Sequence, residues 1–139
     1  MSKINIGRVI LGGIVAGIVI NIFEYVLNGV VLANQWTDVM ASINRPPLGM
    51  DGIVAFNVFG FVQGFAAVWT YAAIRPRFGI GPKTAIYAAL LTFVTAYVLV
   101  DAFPIIMGVI PHLMVPMLLG VGLVEIVVAT LAGAFFYKE

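Results

Sequence analysis

Polar side chains set inside apolar runs are the residues of this chain that could do chemistry. The stretch NIFEYVLNG, residues 21–29, places Glu24 between Asn21 and Asn28 in a run that is otherwise apolar. A second acid, Glu125, falls near the middle of the run 112–137, and Asp101 falls near the end of the run 83–103. No Lys or Arg lies deep in any of these runs to neutralise them. A bare carboxylate in hydrocarbon is costly, so each acid must be protonated, hydrogen-bonded to amides, hydrated or holding a cation. One reading makes Glu24 and Glu125 a proton- or cation-binding pair, with Asn21, Asn28, Asn57 and Gln63 as neutral ligands. The other makes them protonated acids that stitch helices together. Asp101 has a plainer alternative, which is to reach the headgroups at the end of its span. His112, the single histidine, stands at the mouth of the last run, either as an interfacial residue or as a proton relay.

Other chemistries find little support. With no cysteine in 139 residues, disulfides, thiol catalysis and cysteine-ligated metals or clusters are excluded. The two serines, Ser2 and Ser42, lie at the terminus and in a connector, with no nucleophile motif around them. There is no HExxH, P-loop or GxGxxG. One histidine cannot supply both axial ligands of a haem, and nothing pairs a methionine with it. Neither a metal, a cofactor nor an enzymatic activity is therefore expected. The formal net charge of +1 gives no case for nucleic acid.

The elements that must position these residues are membrane helices. Of the chain, 63% is hydrophobic and 9% charged, against about 25% charged in a soluble domain. The mean hydropathy is +1.13. Four apolar stretches, about 7–31, 52–74, 83–103 and 112–137, are each long enough to cross a hydrocarbon core, which takes about 20 helical residues. Four segments cannot close a barrel, so a backbone in lipid satisfies its hydrogen bonds here only as helix. The expected fold is one all-α membrane domain over 1–139, an antiparallel bundle of four transmembrane helices.

The connectors fit that plan. IRPRFGIGPK, 74–83, gathers Arg, Pro and Gly to stop one helix and start the next, with Pro82 in the first turn of the latter. In the longest connector, 33–51, Trp36, Val39, Met40 and Ile43 follow helical spacing, which predicts a short interfacial helix in the first outer loop. The last connector, FPIIMGVIP, reads as a tight turn bounded by Pro104 and Pro111. The first run continues past residue 20 with no cleavage site, so it is expected to be retained rather than removed as a signal peptide.

Orientation follows from the basic residues. With both termini in the cytoplasm, Lys3, Arg8, Arg75, Arg77, Lys83 and Lys138 all face inward and only Arg45 faces outward. Six against one is a strong positive-inside bias and argues against a dual-topology protein. Trp69 and Tyr71 then fall toward the inner interface and Trp36 at the outer one, where amphipathic rings are favoured.

Three helix faces mark the bundle interior. Gly13, Gly17, Asn21, Glu24 and Asn28 fall within about 80° of one another around an ideal helix. Gly122, Glu125, Ala129 and Gly133 make a similar stripe, as do Asn57, Gly60, Gly64 and Ala67, with Gln63 beside them. Small residues let backbones approach, and amides can bond across the contact.

The stretches GRVILGGIVAGIVINIFEYVLNGVVL and WTYAAIRPRFGIGPKTA resemble a group of uncharacterised small bacterial membrane proteins. That resemblance implies a four-span protein of the bacterial inner membrane and no particular activity. Small multidrug transporters also combine four spans with a glutamate in the first, but this chain differs in its length, its long outer loop and its charge bias. The leading expectation is a small transport or proton- or cation-coupled binding protein that works as a homo-oligomer in the lipid bilayer. The alternative is a noncatalytic accessory or scaffold subunit packing against partner membrane subunits, lipid or quinone.

Overall fold

The computed structural model describes residues 3–137, so Ser2 and Lys138 lie outside the described residues. Helix α1 (Ile6–Glu24) runs on without a break into π-helical turns, Tyr25–Val31. Helix α2 (Ala33–Ser42) follows, then α3 (Met50–Phe78) and α4 (Pro82–Phe93). Helix α4 passes through a second π-helical segment, Val94–Val98, into α5 (Leu99–Ile106), and α6 (Val115–Phe136) closes the chain. Among the described residues four lengths are long and apolar enough to cross a membrane: Ile6–Val31, Met50–Phe78, Pro82–Ile106 and Val115–Phe136. The protein is a polytopic, all-helical membrane bundle.

The four spans alternate in direction. Helix α1 packs against α3 and α6, α4 packs against the same two, and α3 also meets α6 across the bundle. Gly12 near the start of α1 lies against Gly133 near the end of α6, and the Asn5 N–H donates to the Tyr137 hydroxyl at 3.1 Å. The connector 79–81 therefore shares one end of the bundle with residues 3–5 and 137, here called the terminal end. Helix α2 and the turn 107–114 lie at the far end.

Glycine sets how closely the spans approach. A Cβ on Gly64 would stand 2.5 Å from the Gly17 nitrogen and 2.8 Å from the Gly13 oxygen, so the GxxxG faces of α1 and α3 meet backbone to backbone. A Cβ on Gly133 would stand 2.7 Å from the Gly12 oxygen, which does the same for α1 and α6. All four members of the α6 stripe, Gly122, Glu125, Ala129 and Gly133, are buried, as are Gly13, Gly17, Gly60, Gly64 and Ala67.

Two apolar clusters form along the bundle. One, around Val9, Ile20, Val68, Ala88 and Ile126, fills the terminal half. The other joins Leu27, Leu32, Val39, Ile110, Met114 and Leu118 at the far end. Through that second cluster α2 docks Val39 onto the bundle and half-buries Trp36 and Met40, while Ile43 stays exposed. The short helix predicted in the long connector is present, and its apolar face covers protein.

Several expected boundaries and placements move. The second span continues past residue 74 to Phe78, with Arg75, Pro76 and Arg77 inside its last turns. Pro76 forfeits only its own N–H bond this close to the helix end, and the chain turns at Gly79 and Gly81, whose φ values of 89° and 132° favour glycine. Pro104 likewise lies inside α5, which extends to Ile106, and the turn that follows is made at Gly108. Tyr71 is not an interfacial ring. It is buried, stacks edge-on against Tyr137 at 6.0 Å, and its hydroxyl accepts from Gly81 N–H at 3.4 Å. Arg75 is also buried, with its guanidinium 5.3 Å from the centre of the Tyr137 ring.

Candidate functional site

The acids meet where the two apolar clusters adjoin. Glu125 is wholly buried on the inner face of α6, where Gly122, one turn earlier, leaves room for the ring of Tyr97. The Tyr97 hydroxyl donates to Glu125 Oε1 at 2.5 Å. Glu125 Oε2 has no hydrogen-bond donor. The carboxyl of Glu24 lies within hydrogen-bonding reach of the carboxyl of Glu125. Carboxyl oxygens only accept once ionised, so two such groups bond each other only where at least one keeps its proton.

From Glu24 a chain of bonds leads to the far end. Asn28 Nδ2 donates to Glu24 Oε2 at 2.6 Å, and Trp36 Nε1 donates to Asn28 Oδ1 at 2.8 Å. Helix α2 thus orients the amide that holds the acid. Asp101, half-buried at the start of α5, is close enough to Glu24 for their charges to interact. On the other flank, the Gln63 amide of α3 lies beside the Tyr97 hydroxyl. Every span contributes to the cluster.

Both π-helical segments touch it. Glu24 is the last residue before Tyr25–Val31, and Tyr97 lies within Val94–Val98. In each, a backbone N–H reaches back five residues, Leu32 to Leu27 and Leu99 to Val94. Such wider turns occur mostly as single-turn insertions, frequently at functional sites.

Of the residues singled out in the sequence, Glu24, Glu125, Asn28, Gln63 and Asp101 come together. Asn21 and Asn57 do not join them. Asn21 Nδ2 donates to the backbone oxygens of Gly17, at 3.0 Å, and Asn57, at 3.1 Å, across the α1–α3 contact. Gly60 leaves the space that the Asn21 amide fills. The Asn57 side chain bonds back to Ile53 O of its own helix and is exposed. His112 is exposed in the far-end turn and lies apart from the cluster. Among the described residues no three His, Asp or Glu side chains converge as a metal ion would require.

The sequence reading passes over Tyr97 and Gly12 and gives Trp36 a different role. Tyr97 and Asp101 stand four apart in an apolar span, a spacing that places two polar tips on one helix face. Trp36 reads as an interfacial ring, yet its N–H points inward to Asn28. Gly12, beside the Gly13–Gly17 pair, is the glycine that admits α6. Comparisons with family models, curated proteins and solved structures find no match for this chain.

Proposed function

We propose that this membrane protein is a small proton- or cation-coupled transport or binding protein whose ligand is held between Glu24 and Glu125. The observation that carries the reading is Glu125 Oε2, an acceptor without a donor in a wholly buried side chain, with a second carboxyl beside it. A positive ligand between the two groups supplies the missing partner, and a proton is the smallest that does so. Intramembrane acids are functional by default because their burial is costly. The far-end chain Trp36–Asn28–Glu24 gives that ligand a polar route, while the packed core of Val68, Ala16, Ile126 and Ala129 separates the pair from the terminal end. In this reading Tyr97 and Asn28 orient the acids, and no catalysis is involved. The bias of six basic residues against one supports an orientation with the far end outside and both termini in the cytoplasm, and the membrane proposed is a bacterial inner membrane.

A second reading, a noncatalytic accessory or scaffold subunit, draws support from Asn57. Its exposed amide sits at membrane depth on α3, where a second copy or a partner helix could take its free carbonyl oxygen.

Infrared spectroscopy of the protein in lipid, with Glu24→Gln and Glu125→Gln, separates the two. A shared proton gives a protonated-carboxyl band that shifts in heavy water, is lost in either variant, and changes as pH or cation concentration is varied. A band that never responds, or variants identical to the parent, would leave the scaffold reading in its place.

A further inference from the structure

The neighbours of the acid pair offer it hydrogens rather than lone pairs. Tyr97 donates its hydroxyl to Glu125 Oε1 at 2.5 Å, and Asn28 donates Nδ2 to Glu24 Oε2 at 2.6 Å. Glu125 is wholly buried and its Oε2 has no donor, so the pair still calls for one positive partner. Which partner fits depends on the polarity of the groups around it.

That polarity is fixed from outside the pair. A carboxamide can face an acid with either end, and its two ends offer opposite chemistry, a donating NH₂ or an accepting carbonyl. Trp36 removes the choice. An indole N–H only donates, so Trp36 Nε1 takes the carbonyl end of Asn28, Oδ1, at 2.8 Å. Nδ2 is then the end that meets Glu24. Trp36 in turn is seated by α2, half-buried against the far-end cluster of Leu27, Leu32 and Val39.

Metal cations need the opposite arrangement. They are held by several oxygen lone pairs from carboxylates, carbonyls and water. Donors turned toward the carboxyls compete for the lone pairs such an ion requires, and the one amide carbonyl beside Glu24 is taken by Trp36. Asp101 lies close enough for its charge to be felt, but among the described residues no third acid converges with the pair on one point. The remaining side chains that face the pair are Tyr97 and Gln63, both uncharged. A proton needs no shell of oxygens, since it sits on one carboxyl and donates to the next.

We propose that the acid pair is a proton site that rejects metal cations, and that Trp36 is the positioning residue that makes it so by holding Asn28 as a donor toward Glu24. This rests on the reading of Glu24 and Glu125 as a ligand-binding pair and narrows the ligand to one.

The test follows the protonated-carboxyl infrared band of the full chain in lipid, at a pH where the band stands at half its height. Replacing choline chloride by sodium or lithium chloride at equal ionic strength should leave the parent unchanged. Trp36→Phe keeps a ring in the far-end cluster but releases Asn28 Oδ1, which frees the amide to turn its carbonyl toward Glu24. At its own half-height pH, lithium at about ten times its dissociation constant should cut that variant's band from about a half to about a tenth, a roughly tenfold competition for one site. Asn28→Asp puts an acceptor in place of the amide without touching α2. It should gain the same response, and it decides the matter if Trp36→Phe does not fold. A parent band that falls in sodium or lithium overturns the proposal while leaving the pair a cation site. Variants that fold and respond to pH but ignore both ions overturn it too, because metal ions would then be kept out by burial and not by the amide. A parent band that responds to neither pH nor salt defeats the underlying reading, and this proposal with it.

Discussion

Gly64→Ala adds one methyl group at the point where the first two long spans touch. The new Cβ would lie 2.5 Å from Gly17 N and 2.8 Å from Gly13 O, both backbone atoms that cannot swing aside. Comfortable contact begins near about 3.5 Å, so α1 and α3 must separate locally by about 1 Å. That separation also loosens Gly13 and Gly17, where a Cβ would already stand 3.0 Å and 2.9 Å from the Cα atoms of Phe65 and Phe61. Overpacking of this kind costs about 1–3 kcal/mol. Gly120→Ala is the matched control, because Gly120 is exposed on α6 and has nothing within 4 Å of a built Cβ. There the same change should be neutral, or stabilising by up to about 1 kcal/mol through helix propensity. The propensity gain is common to both changes, so a net difference of about 1–3 kcal/mol remains, a ratio of about 5–150 in the folding equilibrium constant. Reversible unfolding in mixed micelles resolves that easily. If Gly64→Ala is no less stable than Gly120→Ala, the two glycine faces do not meet and the packing of the bundle is wrong.

Tyr97→Phe keeps the ring against Gly122 but removes the hydroxyl that donates to Glu125 Oε1, which should cost about 1–3 kcal/mol in the same assay. Adding Glu125→Gln should recover part of that loss, whereas strict additivity of the two changes would mean that the hydroxyl and the carboxyl do not interact. Reporter fusions after residue 78 should read cytoplasm and fusions near residue 42 the outside, from six basic residues against one. The reverse pattern, or a mixture at each position, would refute that orientation.

Much of this arrangement is legible in the sequence wherever the helix stays regular. The α6 stripe Gly122, Glu125, Ala129 and Gly133 is buried throughout because α6 is unbroken from Val115 to Phe136. Side chains that bond locally are read less well. Asn57 shares a face with Gly60 and Gly64, yet its amide turns back to Ile53 O, and α1 uses its backbone carbonyl instead. Proline misleads near helix ends, since Pro76 and Pro104 each sit inside a helix that needs only a glycine to finish the turn. Tyr71 shows that an aromatic with a polar tip near a span end does not have to face the headgroups when a backbone N–H is at hand.

The π-helical turns are what periodicity alone could not supply, and they explain how the site is assembled. Along the third span the buried positions run Thr84, Ala85, Ala88, Ala89 and Thr92, the three- and four-residue steps of an α-helix. The next regular step would bring Ala96 inward. The next buried residue is Tyr97, five after Thr92, and the five-residue step coincides with the π segment Val94–Val98. One additional residue in the turn thus trades a small side chain for a phenol on the inner face, opposite Glu125. The first span makes the same exchange farther along, where the buried positions Leu27 and Leu32 are also five apart across Tyr25–Val31. That step carries Leu32 into the far-end cluster, and α2 starts directly after it, close enough for Trp36 to reach Asn28. A regular helix would have turned Ala96 inward and left Glu125 without the Tyr97 hydroxyl. The irregular turns give up ideal backbone geometry, and the hydrogen bonds to Glu125 and Asn28 depend on them.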